Sequence, residues 1–361
     1  MVKYIGSKRL LVPVIERLAR RLPITTACDL FAGTTRVGQG LRRAGLTVHS
    51  NDLATYSEAL GHAYIAAGDS LDRGRLQDLL EHLRALPPEH GYFTETFCIR
   101  SRFFQPHNGG RIDAIRNEIE RLALSALERG ALLTSLMEAA DRVDSTCGLQ
   151  MAYLKRWAAR SFNDLELREP RAVPGPAGTV TRLDANDLAG QLDGCDCAYL
   201  DPPYNQHSYY SNYHVWETLV RWDRPPHYGV ACKRIDCRTT KSPYNSRREA
   251  WRAFSGLIER LPTPWIVASL SDEGFHDLDR VAALLSEKGH LRSVAIDFRR
   301  YVGAQIGIFN PSGRKVGAVS HLRNRELLFV VGPDEAAVEA AVDRLPASAP
   351  GAVAGAPAAR S

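Results

Sequence analysis

The sequence lacks several features that would place the protein in a specialised class. Its 361 residues contain no unbroken apolar run of about 18 residues, the length that an α-helix needs to span a bilayer. The seven cysteines are scattered, and no two of them form the C-x₂-C pair that would indicate a zinc site. Charged residues also interrupt LLVPVIERLARRL near the start, unlike the apolar region of a signal peptide. We therefore expect a cytoplasmic protein with reduced thiols, no metal site and no membrane association.

Neither sign of charge dominates the chain. Lys and Arg number 46 against 41 Asp and Glu, which gives a formal net charge of +5. This balance permits nucleic-acid binding without requiring it. The hydrophobic fraction of 44% is ordinary for a soluble protein with a sizeable core. Because a typical domain has about 100–200 residues, the length predicts one large decorated domain or two domains.

The stretch CAYLDPPYN combines a short apolar run with an acidic, proline-rich turn. The run is typical of a buried parallel strand that delivers Asp201 to the carboxyl edge of a sheet. Pro202 forces Asp201 out of the helical region, and neither Pro202 nor Pro203 has an N–H, so the turn is rich in acceptors. With the flat ring of Tyr204 alongside, the turn suits a planar group that bears an NH₂, such as a base. The alternative is a Pro-Pro turn with a solvated Asp201.

A second pattern, TACDLFAGTTRVGQGLRRAGLTVHSND, predicts a strand, a glycine turn, a helix and a second strand that ends at Asp52. An acid about 20 residues after such a turn is typical of a nucleotide-binding βαβ unit, in which the acid binds a ribose diol. The complete G-x-G-x-x-G is missing, which disfavours a dinucleotide. A cationic ligand with a ribose fits better, since Asp29 and Asp52 are both near. Alternatively, Asp52 only caps the next helix.

Acidic residues follow three successive predicted strands, at Asp52, Asp184 and Asp201. The carboxyl ends of parallel strands meet at one edge of a sheet, where ligands usually bind. We therefore expect these three carboxylates to line a single crevice.

Long helical periodicity replaces the strand pattern from about residue 69 to residue 177, as in IDAIRNEIERLALSALERGALLTSLMEAADRV. This length exceeds that of a crossover loop and predicts a helical insertion within the sheet. Arg100, Arg102 and Arg111 lie in and around the loop SRFFQPHNGGR, next to a pair of phenylalanines. Cations beside stacking rings are typical of a nucleic-acid surface, and solvated arginines on a helical subdomain are the alternative.

A basic loop that contains Lys233, Arg234 and Lys241 lies further along the chain, beyond DPPY and the tyrosine-rich segment that follows it. These side chains either contact phosphates or are simply solvated. Two later segments, LRSVAIDFRRYV and HLRNRELLFVVG, predict a closing antiparallel pair of strands. The Ala/Pro-rich residues 333–361 are predicted to be disordered.

Taken in order, KYIGSKR, DLFAGTT, SND, LDAND and DPPYN resemble the motifs of the Dam-type, alpha-group adenine-specific DNA methyltransferases. That family also carries an insertion before DPPY, and the resemblance extends to about residue 332. It implies an α/β fold with a Rossmann-like S-adenosylmethionine-dependent methyltransferase sheet, mostly parallel with an antiparallel C-terminal hairpin. The implied catalytic core comprises residues 1–68 and 178–332, and the helical insertion, residues 69–177, is implied to contact the target DNA.

The resemblance also implies a reaction, the transfer of a methyl group from S-adenosylmethionine to the N6 amine of an adenine flipped out of double-stranded DNA, as in restriction-modification. The implied cofactor-binding residues are Tyr4, Lys8, Phe31, Gly33, Asp52, Asp184 and Asp201. Of these, Lys8 is implied to meet the cofactor carboxylate, Asp52 the ribose, and Asp184 the cofactor adenine. Asp201, Pro202 and Tyr204 are implied to hold the target adenine.

One residue departs from the family pattern. Thr35 stands where the family usually has its second glycine. A β-branched residue disfavours positive φ, so we expect the turn at Thr35 to be either right-handed or strained, with a consequence for cofactor affinity.

Two other functions fit the same residues. An acceptor-rich corner can hold any conjugated amine, so the substrate could be RNA or a protein amide. A non-catalytic DNA-binding module on the same fold is the second alternative. The aspartate in DPPY and the large basic insertion favour DNA as the substrate of an enzyme.

Overall fold

The computed structural model describes residues 2–6, 8–299, 308–309, 315–317 and 323–346, and its central feature is a seven-stranded sheet in the order β3-β2-β1-β4-β7-β11-β8. Five neighbouring strands of this sheet, β3, β2, β1, β4 and β7, run parallel. Strand β11 pairs antiparallel with both β7 and β8, as predicted for the closing strands. The strands are β1 Thr26–Asp29, β2 Thr47–Asn51, β3 Thr179–Thr181, β4 Cys197–Leu200, β5 His227–Tyr228, β6 Lys233–Arg234, β7 Trp265–Ser271, β8 His290–Arg299, β9 Ile308–Phe309, β10 Lys315–Gly317 and β11 Arg323–Gly332.

Helices cover both faces of the sheet. They are α1 Val12–Ala19, α2 Arg36–Arg43, α3 Thr55–Gly61, α4 Arg73–Ala85, α5 Tyr92–Thr94, α6 Pro106–Arg121, α7 Ala126–Val143, α8 Ala185–Ala189, α9 Tyr209–Asn212, α10 His214–Arg221, α11 Ala250–Arg260, α12 Leu278–Ser286 and α13 Glu335–Val342. Helices α1, α2 and α13 share a hydrophobic cluster with one face, and α8, α11 and α12 with the other. The strand period of two explains this division in β4, where Cys197 and Tyr199 belong to the first cluster and Ala198 and Leu200 to the second.

The order of the strands creates a crevice at the carboxyl edge of the sheet. From β1 the chain moves outward through β2 and β3, and it then returns to place β4 on the other side of β1. Loops that follow β1 and β4 therefore leave the sheet in opposite directions. An open α/β sheet binds its ligand at this point.

The predicted helical insertion lies between β2 and β3 and packs into one hydrophobic cluster with α3 and α10. Phe103 and Phe104 belong to this cluster and are 0% and 1% exposed. The prediction that these rings stack on nucleic-acid bases is therefore wrong. Their neighbours are instead Phe93, Phe97 and Trp216.

The prediction that residues 333–361 are disordered is wrong for Glu335–Val342, which form a helix. Helix α13 begins after Asp334, whose side chain accepts a hydrogen bond from the Ala337 N–H at 2.7 Å. Val338 and Ala341, three residues apart on one helix face, are fully buried against the sheet. Residues 347–361 lie outside the described part of the chain. Within the described part, no helix is long and apolar enough to cross a membrane.

Candidate active site

A cleft of about 1200 Å³, counted with its open mouth, lies at the carboxyl edge where β1 and β4 diverge. Its walls come from the N-terminal segment, from the loops after β1, β2, β3 and β4, and from residues 240–245. The structure thus brings together the side chains that the sequence predicted for cofactor binding. Those that line the cleft are Tyr4, Lys8, Phe31, Gly33, Asp52, Asp184 and Asp201.

Asp52 is held in place by the two loops that it joins. Its Oδ2 accepts the N–H of Gly33 at 2.8 Å, and its Oδ1 accepts the N–H of Ala54 at 2.9 Å. Burial raises the pKa of Asp52, and these two backbone donors oppose the rise. Asp184, on the neighbouring loop, caps α8 by accepting the Asn186 N–H at 2.8 Å. Each carboxylate is therefore fixed by backbone donors at the end of its strand.

Asn51, which was not among the predicted site residues, connects these loops. Its side-chain amide donates to the carbonyls of Leu30 at 3.2 Å and Leu183 at 3.0 Å, and its oxygen accepts the N–H of Leu183 at 3.0 Å. The residue is 1% exposed. One buried amide thus ties the turn after β1 to the turn after β3. Its position beside Asp52 gives it no distinct signal in a single sequence.

The turn between β1 and α2 uses two residues in left-handed conformations. Gly33 has φ of +51°, and a Cβ on it would lie 3.4 Å from the ring of Tyr4. Thr35 has φ of +59°, so the strained form of the two predicted alternatives is the one present. The Thr35 N–H donates to Ala32 O at 2.6 Å, and Gln39 donates to the Thr35 hydroxyl at 3.0 Å. These bonds hold a conformation that costs a non-glycine residue about 1–2 kcal/mol.

Asp29 lies beneath this turn with an unsatisfied oxygen. Its Oδ2 accepts the Gly38 N–H at 3.2 Å, but its buried Oδ1 has no hydrogen-bond partner among the described residues. Burial, reinforced by the charges of Asp201 and Asp52, raises the pKa of Asp29 to about 8. With this pKa, the Asp29 carboxyl is mostly protonated near pH 7, and a nearby cation would favour its ionised form.

Asp201 forms an ion pair that was not predicted. Its Oδ1 lies 2.9 Å from Nζ of Lys8, and the same ammonium pairs with Glu326 on β11. Burial alone would lower the pKa of Lys8, but the two carboxylates outweigh it and raise that pKa well above its usual value. Burial raises the pKa of Asp201 to about 6, although Lys8 opposes the rise. Lys8 is thus engaged at the DPPY corner, which differs from its predicted role at the cofactor carboxylate.

Stacked tyrosines form the wall beside this ion pair. The ring of Tyr4 stacks on those of Tyr213, at 4.3 Å and 17°, and Tyr209, at 5.2 Å and 13°, and the last two stack on each other at 6.4 Å and 15°. Within the described part of the chain, Pro202 and Tyr204 are not among the residues that line the cleft, whereas Pro203 is. Burial raises the pKa of Tyr204 to about 12, and its carbonyl accepts the N–H of Phe275 at 2.8 Å.

Two of the arginines predicted to contact nucleic acid have structural roles instead. Arg234 is 1% exposed, and its guanidinium meets both oxygens of Asp223 at 2.7 Å and Oδ2 of Asp236 at 2.8 Å. Arg111 donates to the carbonyls of Leu86 and Arg84 at the end of α4, where helix carbonyls lack partners. We therefore withdraw both residues from the predicted DNA-contact set.

The remaining four candidates lie nearer to solvent. Exposed Arg100 pairs with Glu95 at 2.9 Å, an interaction that water and salt weaken. Arg102 stacks on Trp157, with 4.8 Å from the guanidinium carbon to the ring centroid. Lys241 is exposed at the cleft, and Lys233 is half-buried in β6. These four stay as predicted phosphate contacts.

Comparison with known proteins agrees with this geometry. A model of the D12 class N6 adenine-specific DNA methyltransferase family matches residues 4–256. The chain belongs to this family. The predicted family and fold class are therefore confirmed, and with them the enzyme class, an adenine-specific DNA methyltransferase. Strands β7, β8 and β11 lie beyond the matched segment.

Several bacterial modification enzymes are similar to most of the chain. Type II methyltransferase M.NlaIII of Neisseria lactamica is 30% identical over 314 residues, which cover 83% of this chain and 92% of that protein. Modification methylase StsI of Streptococcus sanguinis is 30% identical over 321 residues, covering 83% of this chain and 49% of the relative. Type II methyltransferase M.FokI of Planomicrobium okeanokoites is 30% identical over 329 residues, which cover 83% of this chain and 50% of that protein. The chain thus spans about half the length of the last two relatives.

Proposed function

We propose that the protein transfers a methyl group from S-adenosylmethionine to the N6 amine of an adenine extruded from double-stranded DNA. One observation carries this proposal: Asp201 of DPPY opens onto the same cleft as Asp52 and Asp184. A ribose-binding carboxylate and an amine-binding carboxylate on one cleft would place donor and acceptor side by side. Bringing two reactants together in this way is a large part of catalysis.

The residues of the cleft fit S-adenosylmethionine. Asp52 accepts backbone donors and retains lone pairs for the two ribose hydroxyls. Phe31, which meets Tyr244 edge-on at 5.2 Å and 81°, offers a ring beside Asp184 for the cofactor's adenine. A positively charged ligand beside Asp29 would favour the ionised form of this carboxyl, because an opposite charge lowers its pKa. When bound, S-adenosylmethionine supplies an electrophilic methyl group on a sulfonium.

The DPPY corner would prepare the target amine. The adenine must first leave the duplex, at a cost of about a few kcal/mol. Asp201 Oδ1 is paired with Lys8, so Oδ2 would accept one N–H of the amine, and the Pro202 carbonyl, which does not line the described cleft, would have to turn toward the base to accept the other. These two hydrogen bonds draw the nitrogen lone pair out of conjugation with the ring. The proton lost after the new N–C bond forms can pass to Asp201, whose pKa burial raises to about 6.

The relatives are modification enzymes, which bears on the biological setting. StsI is a modification methylase, and M.NlaIII and M.FokI are Type II methyltransferases. We propose that this chain likewise modifies host DNA as part of a restriction-modification system. Sequencing of adenine methylation in cells that express it would reveal the modified sequence.

Replacement of Asp201 tests the reaction. We expect Asp201→Ala to lower methyl transfer to duplex DNA at least about 100-fold, because the amine loses its acceptor and its position. The thermal melting curve should show that the variant is folded, and calorimetry with S-adenosylmethionine separates a loss of cofactor affinity from a loss of methyl transfer, since Asp201 is also a predicted cofactor-binding residue. Asp193→Ala, an exposed acid before β4, is the matched control.

Radiolabelled methyl transfer should be measured on duplex DNA, RNA and protein in parallel. Incorporation into adenine of DNA alone would support the proposed substrate, and preferential labelling of RNA or protein would reject it. A wild-type protein that binds DNA but not the cofactor would instead indicate a non-catalytic binding module.

A further inference from the structure

Glu326 is a buried acid at the active site that no sequence motif indicated. It lies on β11, beyond the segment matched by the family, and is 2% exposed. Its carboxylate pairs with Lys8, and its Oε1 accepts the hydroxyl of Ser269 on the neighbouring strand β7 at 2.5 Å. The DPPY carboxylate is therefore connected, through Lys8, to two buried polar residues on the antiparallel pair of strands β7 and β11.

The cluster contains one more negative than positive charge. Lys8 contributes one positive charge, whereas Asp201 and Glu326 contribute two carboxylates. Burying a carboxylate is costly, and an apolar residue at the Glu326 position would remove that cost. Two of the three groups, Lys8 and Asp201, line the cleft, so the arrangement is better explained by the chemistry of the cleft than by stability.

The geometry indicates what Glu326 does. Lysine is a point charge on a flexible four-carbon chain, so it centres on whichever carboxylate oxygens it can reach. Glu326 draws the ammonium to one side, where it contacts Oδ1 of Asp201 at 2.9 Å. Without this second carboxylate, the ammonium could swing across both oxygens of Asp201 and compete with the substrate.

We propose that Glu326, supported by Ser269, is a positioning residue that holds Lys8 on one oxygen of Asp201 and keeps the other oxygen free for the target amine. This inference rests on the proposed methyl transfer to adenine. It extends the active site into β7 and β11.

The acid side of the pH profile gives the proposal a specific signature. Asp201 is influenced electrostatically by charged or titratable groups from several elements: Lys8, Asp29, Tyr199, Tyr204, Tyr209 and Glu326. Glu326 raises the pKa of Asp201 and Lys8 lowers it. Neutralising Glu326 should thus move the acid limb, which is the fall in activity at low pH, to lower pH. Neutralising Lys8 should move it to higher pH.

The experiment compares Glu326→Gln, Glu326→Asp and Lys8→Met in the full-length protein, using tritiated methyl transfer to duplex DNA from a host without adenine methylation. At pH 8 we expect Glu326→Gln to lower kcat about 10- to 100-fold, the loss that a misplacement near 1 Å can cause. Affinity for S-adenosylmethionine, measured by calorimetry, should stay within about threefold, because the cofactor contacts are untouched. Glu326→Asp keeps the charge with a shorter reach and should fall between the wild type and Glu326→Gln.

Asp196→Asn, a partly buried acid before β4 whose Oδ2 accepts the Thr25 N–H at 2.7 Å, controls for the general cost of removing such a group and should leave kcat and the acid limb unchanged. Opposite displacements of the acid limb in the Glu326 and Lys8 variants would support the proposal. If Glu326→Gln does not fold, Glu326→Asp decides, and wild-type kcat in that variant would overturn the proposal. Wild-type kcat in both Glu326 variants, or an acid limb that moves in the same direction in the Glu326→Gln and Lys8→Met variants, would overturn it. A wild-type protein that methylates no DNA would overturn the proposed function itself.

Discussion

At the residue scale, the most informative group is Asp201, because its ionisation controls whether it can accept a hydrogen bond. Burial raises its pKa to about 6 in the free protein, so the accepting carboxylate predominates above that pH and is lost below it. We expect kcat/KM, which reports the free enzyme, to be level near pH 8 and to fall about tenfold per pH unit well below pH 6. Circular dichroism at each pH separates this loss from unfolding. A rate that stays level to pH 4.5 in folded protein would contradict the assignment.

Thr35 allows a second test at this scale, because its left-handed backbone penalises any Cβ. We expect Thr35→Ala to be less stable than Thr35→Gly by about 1 kcal/mol, since both lose the buried hydroxyl but only alanine keeps the strain. Thr35 is not among the described residues that line the cleft, so neither variant should change the affinity for S-adenosylmethionine by more than about twofold. Urea denaturation and calorimetry measure the two effects. Equal stability of the two variants would mean that the turn is not left-handed.

At the scale of secondary-structure elements, the sequence located the strand ends well. An apolar run followed by an acid places Asp52 and Asp201 at the carboxyl edge, since a parallel strand is buried on both faces and its end is not. Glu326 and Ser269 escaped prediction because a polar residue within a strand reveals its partner only when the order of the strands is known. Phe103 and Phe104 were misplaced because neighbouring arginines looked like a nucleic-acid surface, whereas the preceding helical segment turns both rings inward.

The hairpin β5–β6 provides a prediction about an element. Arg234 fixes this hairpin by pairing with Asp223 and Asp236, so Arg234→Met would leave the two carboxylates with only the more exposed Arg221 as their cation. We expect a loss of about 2 kcal/mol in the free energy of unfolding, which is less than the cost of an unpaired buried ion because Arg221 remains. Lys233→Met, one residue earlier and half-buried, should cost less than about 0.5 kcal/mol. Chemical denaturation that gave equal losses for the two variants would show that the ion pairs do not hold the hairpin.

At the scale of the whole molecule, acidic and basic residues are nearly equal in number but gather in different places. The net charge of +5 is modest, and the acids Asp29, Asp52, Asp184 and Asp201 gather inside the cleft, where we propose that a cationic cofactor binds. The candidate phosphate contacts lie outside it or at its mouth, where Lys241 is exposed. Composition alone therefore said little about DNA binding, because acidic and basic groups in separate places nearly cancel in the net charge.

This division predicts a salt dependence for DNA binding. Each phosphate that a lysine neutralises adds about 0.9 to the slope of log K against log salt concentration, through counterion release. The double variant Lys233→Gln/Lys241→Gln should therefore bind duplex DNA more weakly, with a slope lower by about 2, whatever the DNA sequence. Fluorescence anisotropy with a labelled duplex between about 50 and 200 mM salt covers the range in which the effect is large. Arg17→Gln, an exposed position on α1 and not among the described residues that line the cleft, is the control for net charge. If the control and the double variant change the slope equally per charge removed, the two lysines do not contact phosphates and the DNA lies on another face.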